Sequence, residues 1–207
     1  MCSVSIVKFP CAMCGLCCQH VDRSPDYSDL DRGDGTCRFY DDATRKCRQY
    51  QERPLRCNID LFYEQELQAL LARDEYYDLN LKVCREFWQE AVMADKWISI
   101  GKLKTADLTP YNHCIGLYRH KVNGRTMYIG RAIEYNNGGF RKRLSDYRRN
   151  SDSARKHTSG QIINRHLDEI ETEILIVGDS ADVVEQTKML EKEYIARYNP
   201  AWNKQCK

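Results

Sequence analysis

The segment His113–Gly130, with the sequence HCIGLYRHKVNGRTMYIG, decides the fold of the second half of the chain. Apolar residues alternate with other residue types on both sides of the pair Asn123-Gly124, as Ile115 and Leu117 do before it. Such alternation is typical of a half-buried strand, and Asn-Gly is a frequent hairpin turn. We therefore predict two antiparallel strands, each with a tyrosine close to a glycine.

The length of the hairpin loop decides how these strands pair. A two-residue loop of Asn123 and Gly124 would pair Tyr118 with Ile129. A three-residue loop over 122–124 would instead pair Tyr118 with Tyr128, and only this register puts both phenols on one face. We predict the three-residue loop. For the hairpin alone, two half-buried tyrosines with no catalytic part are the alternative.

Two downstream segments extend the pattern. FRKRLSDY, which starts at Phe140, places Arg143 three residues after an aromatic residue and Tyr147 one helical turn later. LEKEYIARYNPAWN, over 190–203, places Glu191 on a predicted helix and Asn203 after a proline. In this order, together with the triplets Gly116-Leu117-Tyr118 and Tyr128-Ile129-Gly130, these segments resemble the GIY-YIG nuclease domain found in bacterial excision-repair endonucleases.

The resemblance implies an α+β fold over residues 106–207, with a three-stranded antiparallel sheet flanked by helices. It also implies a divalent-metal-dependent endonuclease that hydrolyses phosphodiester bonds. The site residues that it implies are Tyr118, Tyr128, Arg143, Tyr147, His157, Glu191 and Asn203.

These residue types suit phosphodiester hydrolysis. Glu191 would hold Mg²⁺ or Mn²⁺, and the planar guanidinium of Arg143 would clamp phosphate oxygens. Tyr118 or Tyr128 could be the general base only where nearby positive charge favours the phenolate, because a free tyrosine has a pKa of about 10. Which of the two acts is open. For His157, an exposed surface histidine is the alternative.

The apolar pattern of the second half predicts the order strand, strand, helix, helix, strand, helix. The last strand is predicted at Glu173–Val177, and the last helix runs from Ala181 to Tyr198 after a Gly-Asp-Ser turn. Glu191 lies at the edge of the buried stripe of that helix. The stripe consists of Val183, Val184, Thr187, Leu190 and Tyr194.

Positive charge is concentrated around the predicted site. The whole chain carries a formal net charge of only +2, but Arg119 to Arg165 contains twelve Lys or Arg residues against Glu134, Asp146 and Asp152. This excess predicts a nucleic-acid partner, and a solvated basic face is the alternative. For the nuclease that the resemblance implies, we expect DNA as the substrate, with RNA as the alternative. A catalytically inactive binding platform under metal or redox control is the alternative. Three aromatic residues are candidates either for base stacking or for the core: Tyr135, Phe140 and Tyr147.

The first half of the chain is dominated by closely spaced cysteines. CAMCGLCC is followed by a cysteine in GDGTCRFY and by the run CRQYQERPLRC. These motifs resemble a zinc- or iron-chelating cysteine-cluster family, and the resemblance implies metal binding. The implied ligands are Cys11, Cys14, Cys17, Cys18, Cys37, Cys47 and Cys57.

Zinc is the expected metal of this module, and an iron–sulfur cluster is the alternative. Cys84 could be an eighth ligand or a small buried hydrophobic residue. The N-terminus MCSVSIVKFP has neither a basic segment nor a long apolar one, so we expect a cytoplasmic protein whose thiols stay reduced. A disulfide scaffold would need an oxidising compartment.

The length of 207 residues allows two domains. We predict an irregular cysteine-rich metal-binding domain with helices over residues 1–105 and the nuclease domain over 106–207. The first domain is expected to contain helices at Ile59–Tyr76 and Leu81–Ala94. No apolar run is long enough to span a membrane.

Overall fold

The computed structural model describes residues 8–149 and 157–204. The chain divides into two compact units, Met1–Phe87 and Trp88–Lys207. The predicted boundary at 105/106 falls inside the second unit, because a strand at Ile98–Lys102 pairs with the C-terminal sheet. Helices and strands together make this an α+β protein, as predicted.

The first unit is irregular up to residue 57. Short 3₁₀ helices occupy Cys17–Gln19, Val21–Arg23, Pro25–Leu30 and Leu55–Cys57, and a minimal hairpin joins β1 (Tyr40–Asp41) to β2 (Lys46–Cys47). The small core of this part contains one cysteine and few large apolar side chains, which limits the hydrophobic stabilisation available to it. Its members are Val21, Leu30, Cys37 and Tyr40.

The helices that follow differ in their limits from the predicted ones. Helix α1 spans Ile59–Phe62 and continues as a single π-helical turn, Tyr63–Leu67. Helix α2 spans Arg73–Met93, so the break lies near residues 68–72 rather than between 76 and 81. Asp74 and Glu75 stand in the first turn of α2, where negative charge is favourable to a helix N-terminus.

The second unit is built on one antiparallel sheet of four strands. They are β3 (Ile98–Lys102), β4 (Ile115–Val122), β5 (Arg125–Ala132) and β6 (Glu171–Gly178), in the spatial order β3-β6-β4-β5. The prediction of three strands was therefore wrong. Strand β3 was missed because its alternating apolar residues, Ile98 and Ile100, form a short run that ends at a glycine and resembles a linker.

Four α-helices begin in the described part of this unit, which also has 3₁₀ helices at Thr109–Tyr111 and Ala181–Val183. The α-helices are α3 (Gly139–Arg148), α4 (Thr158–Arg165), α5 (Val184–Tyr198) and α6 (Ala201–Lys204). The predicted order strand, strand, helix, helix, strand, helix holds from β4 to α5, whereas β3 before it and α6 after it were not predicted. Along α5, Thr187 and Tyr194 are buried and Leu190 packs against the core, which leaves Glu191 half-buried at the edge. The core beneath α5 consists of Trp97, Leu117, Ile129, Leu175 and Tyr194.

The hairpin of β4 and β5 corrects the predicted register. The loop is the two-residue turn Asn123-Gly124, with both residues at positive φ, and a bulge follows it near His120. The bulge shifts the pairing by one residue, so Tyr118 lies opposite Gly130 and His120 lies opposite Tyr128. Both phenols still share one face of the sheet, since the side-chain period of a strand is two.

The glycine of the first triplet is required by packing between strands. A Cβ atom on Gly116 would lie 2.1 Å from the carbonyl oxygen of Leu175, and the φ of Gly116 is +154°. Strands β4 and β6 therefore approach closely at this point. In the part of the chain that the structure describes, no helix has the length and apolar character needed to cross a bilayer.

We expect Gly116→Ala to destabilise the second unit by about 3 kcal/mol or more, because the new methyl group meets backbone that cannot move without breaking the sheet. Gly124→Ala is the matched control, since Gly124 also has a positive φ but a Cβ there meets nothing within 4 Å. Its cost should be about 1 kcal/mol. Urea denaturation measures both, and equal losses would contradict the close approach of β4 and β6.

Candidate active site

One cleft of about 240 Å³ opens on the face of the sheet that carries the two phenols. Strands β4 and β5 provide its floor, and helices α3, α4 and α5 provide its walls. Six of the seven predicted site residues line it: Tyr118, Tyr128, Arg143, Tyr147, His157 and Glu191. Arg131, Asp146, Ser159 and Gly160 complete the lining.

Tyr118 is held in the floor of the cleft by its neighbours. Its hydroxyl lies 2.7 Å from that of Tyr147, and both rings are buried. A Cβ atom on Gly130 would lie 2.5 Å from the Tyr118 hydroxyl oxygen, so the glycine of the second triplet makes room for this ring. Burial raises the pKa of Tyr118 well above the ordinary value, and the neighbouring Tyr147 and Tyr128 raise it further.

Tyr128 has more access to the cleft. Its side chain is half-buried, and its ring centroid lies 6.2 Å from that of Tyr118. The two phenols therefore differ in environment: one is enclosed and hydrogen-bonded, and the other borders open space. The sequence alone does not distinguish them.

A buried histidine lies beneath the three tyrosines. His120 is fully buried, its Nδ1 lies 3.0 Å from the hydroxyl oxygen of Thr172, and its Nε2 has no hydrogen-bond partner among the described residues. Its ring stacks on Tyr128 with an interplanar angle of 19° and packs against the rings of Tyr118 and Tyr147. Burial lowers the pKa of His120 to about 3. The imidazole is therefore neutral near pH 7.

The charged groups of the cleft stand in pairs. Glu191, with 13% of its side chain exposed, makes an ion pair with Arg131. Arg143 makes an ion pair with Glu134, and its Nε atom is buried without a hydrogen-bond partner among the described residues. Part of the donor capacity of Arg143 is therefore unused. Asp146 lies 3.5 Å from the ammonium of Lys142 and 3.3 Å from the guanidinium of Arg149.

The seventh predicted residue, Asn203, does not line the cleft. Its side-chain oxygen accepts a hydrogen bond from the Ile129 N–H, and its amide nitrogen donates to the Ile129 carbonyl, both at 2.8 Å. Asn203 thus ties the C-terminus to the backbone of β5 beside Tyr128. These two hydrogen bonds hold β5 in place, and the catalytic role of Asn203 stays a prediction.

Several residues around the cleft were not singled out by sequence reasoning. Arg131 directly follows the triplet Tyr128-Ile129-Gly130, and this position could have marked it as a residue of the site. Glu134 and Asp146 were considered only as negative charges in the segment Arg119–Arg165, and neither was assigned to the site. Ser159 and Gly160 had no signal beyond their place near the start of a predicted helix.

The basic excess is partly used within the fold. Arg119 pairs with Glu173, and Arg148 donates to the backbone carbonyls of Leu103 and Ala106. Within the described residues of the segment Arg119–Arg165, the exposed cations are Arg125, Arg141, Arg149 and Arg165, of which Arg149 also pairs with Asp146. Of the three aromatic candidates for stacking, Phe140 and Tyr147 are buried, whereas Tyr135 is 37% exposed.

The chain is similar to solved structures of the GIY-YIG N-terminal endonuclease domain of UvrC from Thermotoga maritima. For that domain bound to magnesium, its catalytic divalent cation, the identity is 24%, the match covers 44% of this chain and 85% of that one, and the TM-score is 0.32. An asparagine-to-alanine point mutant of the domain gives 25% identity, coverages of 44% and 84%, and the same TM-score of 0.32. No family model and no curated protein matches the chain.

In the first unit, most of the predicted thiol ligands are neighbours. Burial, together with the nearby thiols of Cys17, Cys37 and Cys47, raises the pKa of Cys57 to about 11. Contact with the Cys18 side chain is the main cause that holds the pKa of Cys17 well above its usual value. Burial is the main cause that raises the pKa of Cys11, and the nearby thiol of Cys17 raises it as well.

The described residues do not form a complete metal-binding site. Among them, no three His, Cys, Asp or Glu side chains are arranged to share one ion. Cys14 is half-buried, and so is Cys84 on α2. What the structure provides is a set of neighbouring thiols, with Cys37 buried in the small core and Cys18 and Cys57 packed against it.

The buried neutral histidine predicts acid sensitivity. The unfolded chain binds a proton at His120 near pH 6.5, whereas the folded chain does so only near pH 3. His120 therefore makes its full contribution to the free energy of unfolding above about pH 6.5, and this contribution is lost as the pH falls toward 3. The free energy of unfolding then decreases by at most about 1.4 kcal/mol per pH unit.

We expect His120→Phe to flatten this pH dependence, because phenylalanine fills the site without titrating. Thr172→Val is the control: it removes the hydrogen-bond partner of His120 and should lower stability while leaving the slope in place. Urea denaturation between pH 4 and pH 7 measures both variants. An unchanged slope in His120→Phe would show that other groups cause the acid sensitivity.

Proposed function

We propose that the cleft of the second unit is the active site of a divalent-metal-dependent endonuclease that hydrolyses phosphodiester bonds, with DNA as the favoured substrate. The observation that carries this proposal is the convergence of Tyr118, Tyr128, Arg143 and Glu191 in one cleft. These residues come from two strands and two helices. A carboxylate, an arginine and phenols are the groups that attack on an anionic phosphodiester requires.

The cleft fits a cation with few protein ligands. Glu191 presents one carboxylate at its edge, and Mg²⁺ in proteins often takes one or two carboxylates, with water and substrate phosphate oxygens at its other positions. Asp146 also lines the cleft, but two cations, Lys142 and Arg149, compensate its charge, whereas among the described residues Glu191 is paired with Arg131 alone. We therefore assign the cation to Glu191 alone. When bound, a divalent cation polarises the phosphoryl group and stabilises the charge that develops on its oxygens.

Arg143 is suited to bind the phosphate. Glu134 holds its guanidinium at the cleft wall, and the unpartnered Nε leaves a donor available. A planar guanidinium matches two phosphate oxygens at once, which fixes the orientation of the phosphorus. Arg131 can contribute a second cation, because a phosphate oxygen can replace Glu191 as its partner.

The two phenols take different parts in this proposal. Removal of a proton from Tyr118 is unfavourable, since burial raises its pKa and its hydroxyl is hydrogen-bonded to Tyr147. Tyr128 borders the open cleft and can contact an attacking water. We therefore assign the general-base role to Tyr128, and we assign to Tyr118 the positioning of groups in the floor. His157, at the cleft rim, is an auxiliary proton carrier.

The nucleic-acid partner is supported by charge. Arg125, Arg141, Arg149 and Arg165 are exposed cations of the same unit, and phosphate contacts of this kind are independent of base sequence. Cleavage of RNA and binding without cleavage are the alternatives. A plasmid and a structured RNA, incubated side by side with Mg²⁺, distinguish them: nicking of the plasmid at the higher rate is the expected result.

For the first unit we propose a structural metal, with zinc as the first choice and an iron–sulfur cluster as the alternative. The neighbouring thiols support it, because thiolates that repel one another are stabilised together by a bound cation. The loops bury too little apolar surface to fold without such a link. The proposal places the protein in a reducing compartment such as the cytoplasm.

We expect Glu191→Gln to lower the Mg²⁺-dependent cleavage rate by about a hundredfold or more, because it removes the charged metal ligand and keeps the shape of the side chain. Binding of nucleic acid should change little. Glu193→Gln makes the same chemical change at an exposed position two residues along α5 and should retain full activity. Plasmid nicking measures the rates, and full activity in Glu191→Gln would contradict the site assignment.

The metal of the first unit is tested by elemental analysis of the full chain after anaerobic purification. Colourless protein containing zinc is expected, whereas brown protein with iron and sulfide would support the alternative. Cys57→Ser should lower the metal content and unfold the first unit. Cys114→Ala, a change outside the cysteine motifs, should leave the metal content unchanged. A metal-free protein that stays folded through disulfides among these cysteines would contradict both choices.

A further inference from the structure

The loop that joins β5 to α3 carries three consecutive exposed residues, Tyr135, Asn136 and Asn137. Tyr135 is 37% exposed, and among the described residues its ring takes part in no aromatic pair and no cation–π contact. A tyrosine ring is flat and polarisable, and such a ring with a free surface is suited to bind another flat group. The two asparagines beside it carry amides that can donate and accept hydrogen bonds.

This loop is fixed to the wall of the cleft through Glu134, the residue that precedes Tyr135. The Glu134 carboxylate pairs with Arg143 and accepts a hydrogen bond from the Ile133 N–H at 3.0 Å. Its backbone carbonyl accepts a hydrogen bond from the Asn137 N–H, and the Tyr135 N–H donates to the Ile133 carbonyl, both at 3.0 Å. The same residue therefore orients the guanidinium in the cleft and holds the backbone on both sides of Tyr135.

The position of Tyr135 suits contact with a base of the bound strand. Consecutive Cα atoms are about 3.8 Å apart, so Tyr135 follows closely on the residue that orients Arg143. A strand whose phosphate is bound at Arg143 brings a neighbouring nucleotide to this loop. Stacking on an aromatic ring accepts any base, because every base has a π face. The amides of Asn136 and Asn137 can reach the edge of the same base.

Other features of this region favour a nucleic acid as the occupant of the loop. Phe140 and Tyr147, the other two aromatic residues considered for stacking, are buried, so Tyr135 is the member of that group that remains accessible. Arg141, in the first turn of α3, is exposed and can bind a backbone phosphate. An aromatic ring with a cation on either side in the sequence is typical of surfaces that bind unpaired nucleotides.

We propose that Tyr135 stacks on an unpaired base next to the phosphate that is cleaved. The inference rests on the proposed function and names its substrate class: DNA with an unpaired nucleotide near the scissile bond, as in a bulge or a single-stranded flap. In an intact duplex each base is stacked between its neighbours, and removing it from the stack costs free energy. Tyr135 acts in substrate binding and not in the chemical step.

The test uses the full chain in metal-free buffer and two DNA duplexes of the same sequence, one intact and one with a single-nucleotide bulge. Fluorescence anisotropy measures both affinities, and wild-type protein should bind the bulged duplex about tenfold more tightly. Tyr135→Ala should bring the ratio of the two affinities close to one, whereas Tyr135→Phe should keep it because the ring remains. Both affinities come from one protein preparation, so their ratio does not depend on the folded fraction.

Arg125→Gln is the control for contacts with phosphate, because Arg125 is an exposed cation of the hairpin. It should weaken both duplexes by the same factor and leave the ratio unchanged, since phosphate contacts do not depend on the base. A second readout places a fluorescent adenine analogue at the bulge. Stacking on tyrosine or phenylalanine should quench its emission in the complexes of wild type and Tyr135→Phe but not in that of Tyr135→Ala.

The inference would be overturned if Tyr135→Ala kept the wild-type preference, or if Tyr135→Phe lost it as fully as Tyr135→Ala. Wild-type protein that neither binds nor cuts nucleic acid would contradict the proposed function itself. Wild-type protein that cuts DNA with Mg²⁺ but binds the two duplexes equally would contradict only the stacking of Tyr135 on an unpaired base.

Discussion

The contact of the Tyr118 hydroxyl with the backbone at Gly130 is the constraint on which the cleft depends. Any side chain at position 130 would occupy the volume of the phenol, because even a Cβ atom would lie 2.5 Å from the hydroxyl oxygen. With the ring seated there, Tyr147 can hydrogen-bond to it from α3 and His120 can fill the space below. The two glycine triplets are therefore steric requirements of the packed strands.

The electrostatics of the cleft follow from pairing. Glu191 with Arg131 and Arg143 with Glu134 each compensate a charge that would be costly to hold at a partly buried site alone. A phosphate that displaces one of these carboxylates from its arginine replaces one anion by another, so binding leaves no buried guanidinium uncompensated. The neutral His120 beneath the tyrosines adds no charge of its own near pH 7.

The sequence predicted most of the helices and strands and most of the residues that share the cleft. It did not predict the strand register or the individual side-chain contacts. The strands of the hairpin, the buried stripe of α5 and the shared face of Tyr118 and Tyr128 were all predicted. The predicted register was wrong because no sequence pattern indicates the bulge near His120. Strand β3 was not predicted because five residues are too few to show a clear alternation of apolar and polar positions. Asn203 came from a motif, and only tertiary structure reveals its hydrogen bonds to the backbone of Ile129.

The central claim is that this cleft binds a phosphodiester through its arginines and a divalent cation through Glu191. A crystal structure of the full chain with Mn²⁺ and an oligonucleotide carrying a non-hydrolysable phosphate linkage tests it most directly. The account predicts an anomalous manganese peak beside the Glu191 carboxylate, with the modified phosphate against Arg143 and Tyr128 close to its phosphorus. Manganese bound elsewhere, or nucleic acid lying away from the cleft, would contradict the account.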